Sequence, residues 1–240
     1  ENTVVASTVT IEFNKISGNT NAITNNDGAI VTAEKNWWGS NDEPTVNDHT
    51  LVNYGQWCID NTCGAFNSDI ILDFADGSDD KYYGDTQFDR ALSDATGADT
   101  LKFYNQKSYN DKTLNFSGSG AVVTLNGDGN NDDTIDATFT GTLAINDTAT
   151  LDEVQLNSET TVNAVSTIKN SGVTKTIDIK STGVNIGTAS NGNSFVLAND
   201  DTGITSSGEG TYAAISIVDN SFQATAGDDY IGIDLGTQFS

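Results

Sequence analysis

The sequence is short of positive charge. It has ten lysine and arginine residues against thirty-four aspartate and glutamate residues, a formal net charge of −24 over 240 residues. Such an excess of carboxylates repels phosphate backbones and anionic lipid headgroups, so we expect neither nucleic-acid binding nor association with a membrane surface. The acidity is expected to keep a strand-rich surface soluble, and it makes divalent cations the natural counter-ions.

Long apolar runs are also missing. None approaches the length of a transmembrane helix and no signal peptide opens the chain, so we expect no membrane insertion. Methionine is absent, and Glu1 is therefore expected to follow a cleavage or to begin a segment of a longer protein.

Cysteine occurs only at Cys58 and Cys63, and histidine only at His49. A structural zinc site needs four ligands, which this set does not supply. The short spacing favours a small disulfide loop formed in an oxidising compartment. We therefore predict an extracellular or cell-surface location.

What the chain does contain is short strands of alternating apolar and polar residues, broken by Asn, Asp and Gly. Asn14 and Asn36 lie at matching points after two such strands, about twenty residues apart. This spacing predicts the coil of a parallel β-helix, in which stacked Asn side chains form ladders. Further strands end in Asn at Asn126, Asn146, Asn157, Asn199 and Asn220.

One segment has a helical pattern. Four apolar residues recur at i, i+3, i+4 and i+7 and predict a helix over about residues 86–95, ended by Gly97: Phe88, Ala91, Leu92 and Ala95. A short amphipathic helix beside stacked strands is expected to cover the open end of the core, where apolar surface and backbone groups would otherwise be exposed.

Residues 36–44 concentrate the rare bulky and rigid residues. Trp37, Trp38 and the only proline, Pro44, lie here, and the third tryptophan is Trp57. Paired tryptophans cover a large apolar area and proline cannot donate to a sheet ladder. We predict that these four residues form an end cap or a seam.

Two stretches together resemble a known family. Residues 86–103, 109–114 and 123–129 look like the beginning of a domain, and residues 33–40 with Pro44 and Trp57 look like the end of one. The resemblance is to right-handed parallel β-helix proteins of the pectin-lyase-like class, in the branch found in large repetitive surface proteins of archaea and bacteria. It implies an all-β, right-handed parallel β-helix with one short capping α-helix.

The ending motif precedes the beginning motif. We therefore expect residues 1–65 to be the C-terminal rungs and end cap of one β-helix, 66–85 an acidic linker, and 86–240 the capping helix and N-terminal rungs of a second. Such a chain is one period of a tandem array or a subunit completed by the next copy. The predicted function is a structural module of an extracellular fibre, surface layer or adhesin that associates end to end with identical copies.

The alternative is a secreted polysaccharide-active or glycan-binding β-helix, because the family includes polysaccharide lyases and hydrolases and exposed aromatic rings can stack on sugars. A lyase needs a basic residue, and the only arginine, Arg90, lies on the predicted helix. Residues 227–229, Gly-Asp-Asp, match one fragment of the polygalacturonase pattern without its companions. We therefore expect no enzyme activity, no catalytic residue and no required cofactor.

Calcium is the candidate ligand. Asp128, Asn130 and Asp132 follow Asn126 at alternate positions, as oxygen ligands do in calcium loops, although Gly129 and Ala137 break the usual pattern. A second acidic loop contains Asp76 and Asp79, and for each loop the alternative is a solvated turn without an ion. Asn115 and Asn146 begin glycosylation sequons and are expected at the surface.

Overall fold

The computed structural model describes residues 9–20, 22–26, 29–40, 44–46, 51–78, 80–116, 122–198, 201–207, 214–225 and 231–235. Over these residues the protein is mostly strand with one short α-helix, so the all-β class is confirmed. The chain divides into two units. The first comprises Glu1–Leu72 and Asp79–Ala91, and the second comprises Asp73–Ser78 and Leu92–Ser240.

The first unit contains a three-stranded parallel sheet of β1 (Val9–Thr10), β2 (Val31–Thr32) and β3 (Val52–Asn53). Val9 stacks on Val31, and Val31 stacks on Val52. Successive strands are therefore about twenty residues apart, which is the spacing that the asparagines predict. These three valines form a column in which exposure rises from 0% at Val52 to 47% at Val9.

Antiparallel pairs follow in the same unit. β4 (Trp57–Cys58) pairs with β5 (Phe66–Asn67), and β6 (Ile70–Asp73) pairs with β7 (Lys81–Tyr83). The predicted linker, residues 66–85, thus contains three strands. Burial alternates along β6, where Ile70 and Leu72 are buried, and β7 buries Tyr83, whereas Phe66 of β5 is exposed.

The helix begins as a 3-10 turn at Asp85–Gln87 and continues as α1, Phe88–Asp94. Its start is held by Gln87, whose Oε1 accepts from the Gly84 backbone N–H (3.2 Å) and whose Nε2 donates to the Val52 carbonyl (2.9 Å). Thr86, in the same turn, shares a hydrogen bond with the Tyr54 hydroxyl (2.7 Å). All four residues of the predicted apolar stripe are buried: Phe88, Ala91, Leu92 and Ala95.

The second unit consists of parallel strands. In chain order they are β8 (Thr100–Phe103), β9 (Lys107–Leu114), β10 (Val123–Asn126), β11 (Ala137–Ile145), β12 (Ala149–Asp152), β13 (Gln155–Val162), β14 (Ser166–Lys169), β15 (Gly172–Val173), β16 (Ile177–Ile179), β17 (Asn185–Ile186), β18 (Ser194–Leu197), β19 (Thr202–Thr205), β20 (Ser216–Ile217), β21 (Ser221–Ala224) and β22 (Ile231–Asp234). One sheet has the order β20-β17-β14-β12-β10-β8. The other runs β21-β18-β15-β13-β16-β19-β22, with β11 pairing both β13 and β9.

Because neighbouring strands are parallel and in register, like side chains stack into columns. One column is aliphatic and buried: Leu101, Leu125, Leu151, Ile168 and Ile186. A second column contains most of the aromatic core: Tyr109, Phe139, Leu156, Val173, Phe195 and Phe222. Alternation of period two places these side chains on one face of each strand, and this is the core of the second unit.

The Asn ladder predicted in the first unit is present. Asn36 is fully buried, and its Oδ1 accepts from the Asn14 backbone N–H (2.8 Å). Its Nδ2 donates to the carbonyls of Ile11 (2.6 Å) and Ala33 (2.7 Å). The side chain therefore supplies the hydrogen bonds of a corner where the strands cannot pair.

The second unit has a ladder of its own, centred on Asn193, which sequence reasoning missed. Asn193 Oδ1 accepts from the Ser171 N–H (3.0 Å), and its Nδ2 donates to Asn220 Oδ1 (2.9 Å) and to the Ile168 carbonyl (2.9 Å). Asn220 is thus a ladder member, as its position after a strand predicts. Of the other expected corners, Asn126 ends β10 and Asn146 directly follows β11, whereas Asn157 lies inside β13 and is exposed, so it does not end a strand. Asn199 lies outside the described residues.

Candidate functional site

Three aspartates meet in the segment between β10 and β11, residues 127–136, which we name the acidic loop. Asp128, Asp132 and Asp136 each offer a carboxylate oxygen, and these oxygens all lie within 4.8 Å of one another. Asp128 and Asp136 are buried, whereas Asp132 is exposed. The loop thus gathers three like charges at the edge of the second unit's core.

Backbone hydrogen bonds wrap the loop around Asp128. Its Oδ1 accepts from the Asp132 N–H (3.0 Å), and its Oδ2 accepts from the Asp133 N–H (3.0 Å). Asn131 and Asp133 have left-handed backbones (φ 55° and 63°), which Asn and Asp tolerate better than most residues. The Asp136 N–H donates to the Gly127 carbonyl (2.6 Å) and closes the loop.

Asp136 is the least satisfied member of the cluster. It is 3% exposed, and its Oδ1 accepts from the Gln106 backbone N–H (3.0 Å). Its Oδ2 is buried and has no hydrogen-bond partner in the described structure. Burial raises the pKa of Asp136, the Gln106 hydrogen bond opposes this, and the carboxylates of Asp132 and Asp128 raise it further.

The structure thus brings Asp128 and Asp132 together, as the calcium prediction requires, and keeps Asn130 in the same loop. Asn130 Nδ2 donates to Asp132 Oδ2 (3.1 Å). Sequence reasoning missed Asp136 because it compared Ala137, one residue further on, with the closing glutamate of known calcium loops. The sequence feature that could have identified Asp136 is its position directly before the strand that begins at Ala137.

The second predicted calcium loop has a different arrangement. Asp76 is exposed and its Oδ1 accepts from the Ser78 N–H (2.9 Å); the Ser78 hydroxyl contributes most to lowering the pKa of Asp76. Asp73 forms an ion pair with Lys102 (2.5 Å). Asp79 lies outside the described residues. Asp73 and Asp76 therefore each have a contact of their own.

Two terminal strands expose apolar side chains. In the first unit β1 ends its sheet, and Val9 is 47% exposed. In the second unit β22 ends its sheet, and Ile231 and Ile233 are 53% and 44% exposed. Ile233 stacks on Ile204, which is fully buried. In each unit, a column of side chains that is buried on an inner strand is thus exposed at the terminal strand.

The predicted end motif is well packed. Trp38 and Trp57 belong to the core of the first unit, together with Val52 and Tyr54. Trp37 is half-buried and Pro44 is buried. These contacts fit a packing role for the tryptophans, whereas the assignment of the motif as the end of a β-helix stays a prediction.

Cys58 and Cys63 form the predicted disulfide, with Cα atoms 4.8 Å apart. The bond closes the small loop that links β4 to β5, and Cys58 is fully buried. The disulfide is thus part of the structured first unit.

Replacing both cysteines with serine is expected to lower the unfolding free energy by about 2 kcal/mol, because so short a loop removes little entropy from the unfolded chain. Urea denaturation followed by tryptophan fluorescence measures the change. Cys63→Ser alone is the comparison, since it breaks the same bond and leaves Cys58 in place. A loss several times larger would mean that the serines disturb the folded state as well.

Both sequon asparagines lie at the surface, as predicted. Asn115 is exposed, and the following residue, Phe116, donates its N–H to Asp147 (2.8 Å). Asn146 is exposed, and its Oδ1 accepts from Asn163 Nδ2 (2.8 Å). Glycosylation at these positions stays a prediction.

The second unit also carries a groove of about 580 Å³. It runs beside the successive turns Glu153, Asn170 and Asn191 and is lined mainly by small polar residues, with Glu153 as the one carboxylate. Burial and the neighbouring Asp152 raise the pKa of Glu153. A glycoside hydrolase needs two converging carboxylates, which this lining does not supply.

The chain was compared with protein-family models, with curated proteins and with solved structures, and none of the three comparisons gave a match. Within the described ranges, no helix has the length and hydropathy of a membrane span. The resemblance to pectin-lyase-like β-helices therefore stays a prediction.

Proposed function

We propose that both units are coils of right-handed parallel β-helix and that the protein is a structural module of an extracellular fibre, surface layer or adhesin, joined end to end with identical copies. The observation that supports this proposal is that a column of stacked side chains ends with an exposed member in each unit. Val9 ends a column that is buried at Val52, and Ile233 ends one that is buried at Ile204.

The coiled architecture is supported by the pairing and the ladders. Strands that are not adjacent in sequence pair in parallel in the second unit, with a register shift only between β11 and β9 among the described pairs, and buried Asn36 and Asn193 occupy corners in the two units. Stacked coils with internal Asn ladders are a recurrent feature of parallel β-helices.

A second copy of the chain is the occupant that best matches both open strands. Each strand ends a parallel sheet and presents β-branched aliphatic side chains, so the β22 edge of one copy can extend the β1 edge of the next. Pairing would add backbone hydrogen bonds between the two edges, and each aliphatic side chain buried contributes about 1.5–3 kcal/mol. Natural proteins rarely leave such an edge uncovered unless it is used.

The surface location is supported by the disulfide and the charge. A disulfide between Cys58 and Cys63 persists best in an oxidising compartment. A net charge of −24 keeps a self-associating strand-rich protein dispersed until its ends meet.

The self-association is tested by replacing Ile233 with lysine. We expect the unmodified protein to form filaments in negative stain, with an axial repeat near the length of one copy, and to sediment as oligomers. Ile233→Lys should sediment as a monomer with an unchanged melting temperature, because a charge at an open edge blocks pairing.

Val165→Lys is the matched control. Val165 is 49% exposed and lies in the turn between β13 and β14, on neither open strand, so this variant should still assemble. A monomeric unmodified protein at high concentration, or assembly of Ile233→Lys equal to that of the unmodified protein, contradicts the proposal.

Glycan binding or polysaccharide cleavage is the second candidate, favoured by the groove beside Glu153, Asn170 and Asn191. The test is incubation with acidic polysaccharides, followed by measurement of product release and of binding. Degradation by dispersed monomers would replace the structural role with an enzymatic one.

A further inference from the structure

We propose that the acidic loop is a calcium-binding site in which Asp128, Asp132 and Asp136 supply carboxylate ligands. The site is independent of the end-to-end contacts proposed above, because its residues lie between β10 and β11 and not on the terminal strands β1 or β22.

The spacing of the three carboxylates suits calcium. Oxygen ligands lie about 2.3–2.6 Å from Ca²⁺, so two oxygens bound to one ion are at most about 5 Å apart. The cluster, with its oxygens within 4.8 Å of one another, meets this limit. Magnesium, at about 2.0–2.1 Å, needs ligands no more than about 4 Å apart and in near-octahedral geometry. The loop therefore meets the limit for calcium as it stands, and calcium's flexible coordination demands less of the loop than the near-octahedral geometry of magnesium.

The second observation is the unsatisfied oxygen of Asp136. Its Oδ2 is buried and lacks a hydrogen-bond partner in the described structure, while Oδ1 is held by the Gln106 N–H. Leaving a buried carboxylate oxygen without a partner is costly, and native structures rarely do so without a purpose. A cation bound among Asp128, Asp132 and Asp136 would satisfy this oxygen directly.

Asp128 can bind a cation without giving up its structural hydrogen bonds. Each of its oxygens accepts one backbone N–H, from Asp132 and from Asp133. A carboxylate oxygen has two lone pairs, so one remains on each oxygen. The loop is therefore shaped before a ligand arrives, which lowers the entropic cost of binding.

The local charge also requires a cation. The charged groups that act on Asp136 are Asp132 and Asp128, both of the same sign. Lys102, whose side chain lies beside Gly129 of the loop, is already paired with Asp73. A divalent ion would neutralise most of the charge of the three clustered carboxylates, whereas without one they repel each other.

Binding should stabilise more than the loop itself. The Asp136 carbonyl accepts from the Lys107 N–H (2.7 Å), and its side chain accepts from Gln106, so Asp136 fastens the loop to the start of β9. A calcium ion held by Asp136, Asp128 and Asp132 would tie this start to the strands on either side of the loop, β10 and β11.

Isothermal titration of the chelator-treated full chain with CaCl2, and separately with MgCl2, tests the site. We expect one calcium ion per chain, weaker binding of magnesium, and a melting temperature that rises with calcium concentration. Asp132→Asn and Asp136→Asn should each weaken calcium binding at least about ten-fold, because each removes a charged ligand. Asp132 is exposed, so this variant is expected to fold even if Asp136→Asn does not.

Asp133→Asn is the matched control. It removes the same charge from the same loop, outside the three-carboxylate cluster, and Asn tolerates the left-handed backbone at this position. Its calcium affinity should stay within about two-fold of the unmodified protein's, since exposed charges contribute little. Absence of binding at millimolar calcium, or equal weakening by Asp133→Asn and Asp132→Asn, would overturn the proposal. Equal affinity for magnesium would overturn the assignment to calcium.

Discussion

Replacing Asn36 with alanine is expected to destabilise the first unit by about 3 kcal/mol, because it leaves several buried backbone groups without partners. The lost side chain accepts from the Asn14 N–H and donates to the carbonyls of Ile11 and Ala33. Asn36 is fully buried, so water cannot replace these hydrogen bonds without opening the core.

The measurement is urea denaturation followed by tryptophan fluorescence. All three tryptophans, Trp37, Trp38 and Trp57, lie in the first unit, so the signal reports on that unit alone. The midpoint should fall while the slope of the transition stays the same.

Asn14→Ala is the control for this experiment. It is the same substitution in the same ladder, but Asn14 is exposed, so the loss should stay below about 1 kcal/mol. If the two variants lose the same free energy of unfolding, the buried hydrogen bonds of Asn36 are not the main source of the ladder's stability.

Several features of the fold, including the ladder formed by these two asparagines, could be predicted from the sequence. Period-two alternation and the spacing of Asn14 and Asn36 were enough to predict parallel strands about twenty residues apart. The i, i+3, i+4, i+7 pattern likewise predicted α1, and the cysteine spacing predicted the disulfide. Each of these features depends on residues close in sequence or on a regular repeat.

Features without a regular period were missed. Asn193 pairs with Asn220 across 27 residues, a longer segment than the 22 residues between Ser171 and Asn193. Asp136 joins Asp128 only because the loop closes on Gly127, which local spacing does not encode. The strands β5, β6 and β7 lie in a segment whose acidic and glycine residues predicted a linker. In each case the contact depends on how an irregular loop folds back.

Phe139→Ala is expected to have the largest effect on the second unit, a loss of about 4 kcal/mol. Phe139 is fully buried in β11, where it stacks between Tyr109 of β9 and Leu156 of β13. The rings of Phe139 and Tyr109 lie 5.8 Å apart. Truncation therefore removes apolar contacts on both sides at once.

The cavity left by this substitution is expected to persist. The three strands are fixed by backbone pairing over most of their length, so neither neighbour can move inward without breaking ladder hydrogen bonds. A cavity that cannot collapse puts the cost near the upper end of the range for large-to-small core substitutions.

Phe139→Leu is the control, because it keeps an apolar side chain at this position and changes only its shape and size. Leucine keeps most of the buried volume, so the loss should be about 1 kcal/mol. Residues 92–240 contain no tryptophan, so tryptophan fluorescence does not follow unfolding of this unit; far-ultraviolet circular dichroism does, because most of the strands lie in it. A loss below about 1.5 kcal/mol for Phe139→Ala would mean that the strands relax around the cavity, and that the aromatic column is not the main source of the second unit's stability.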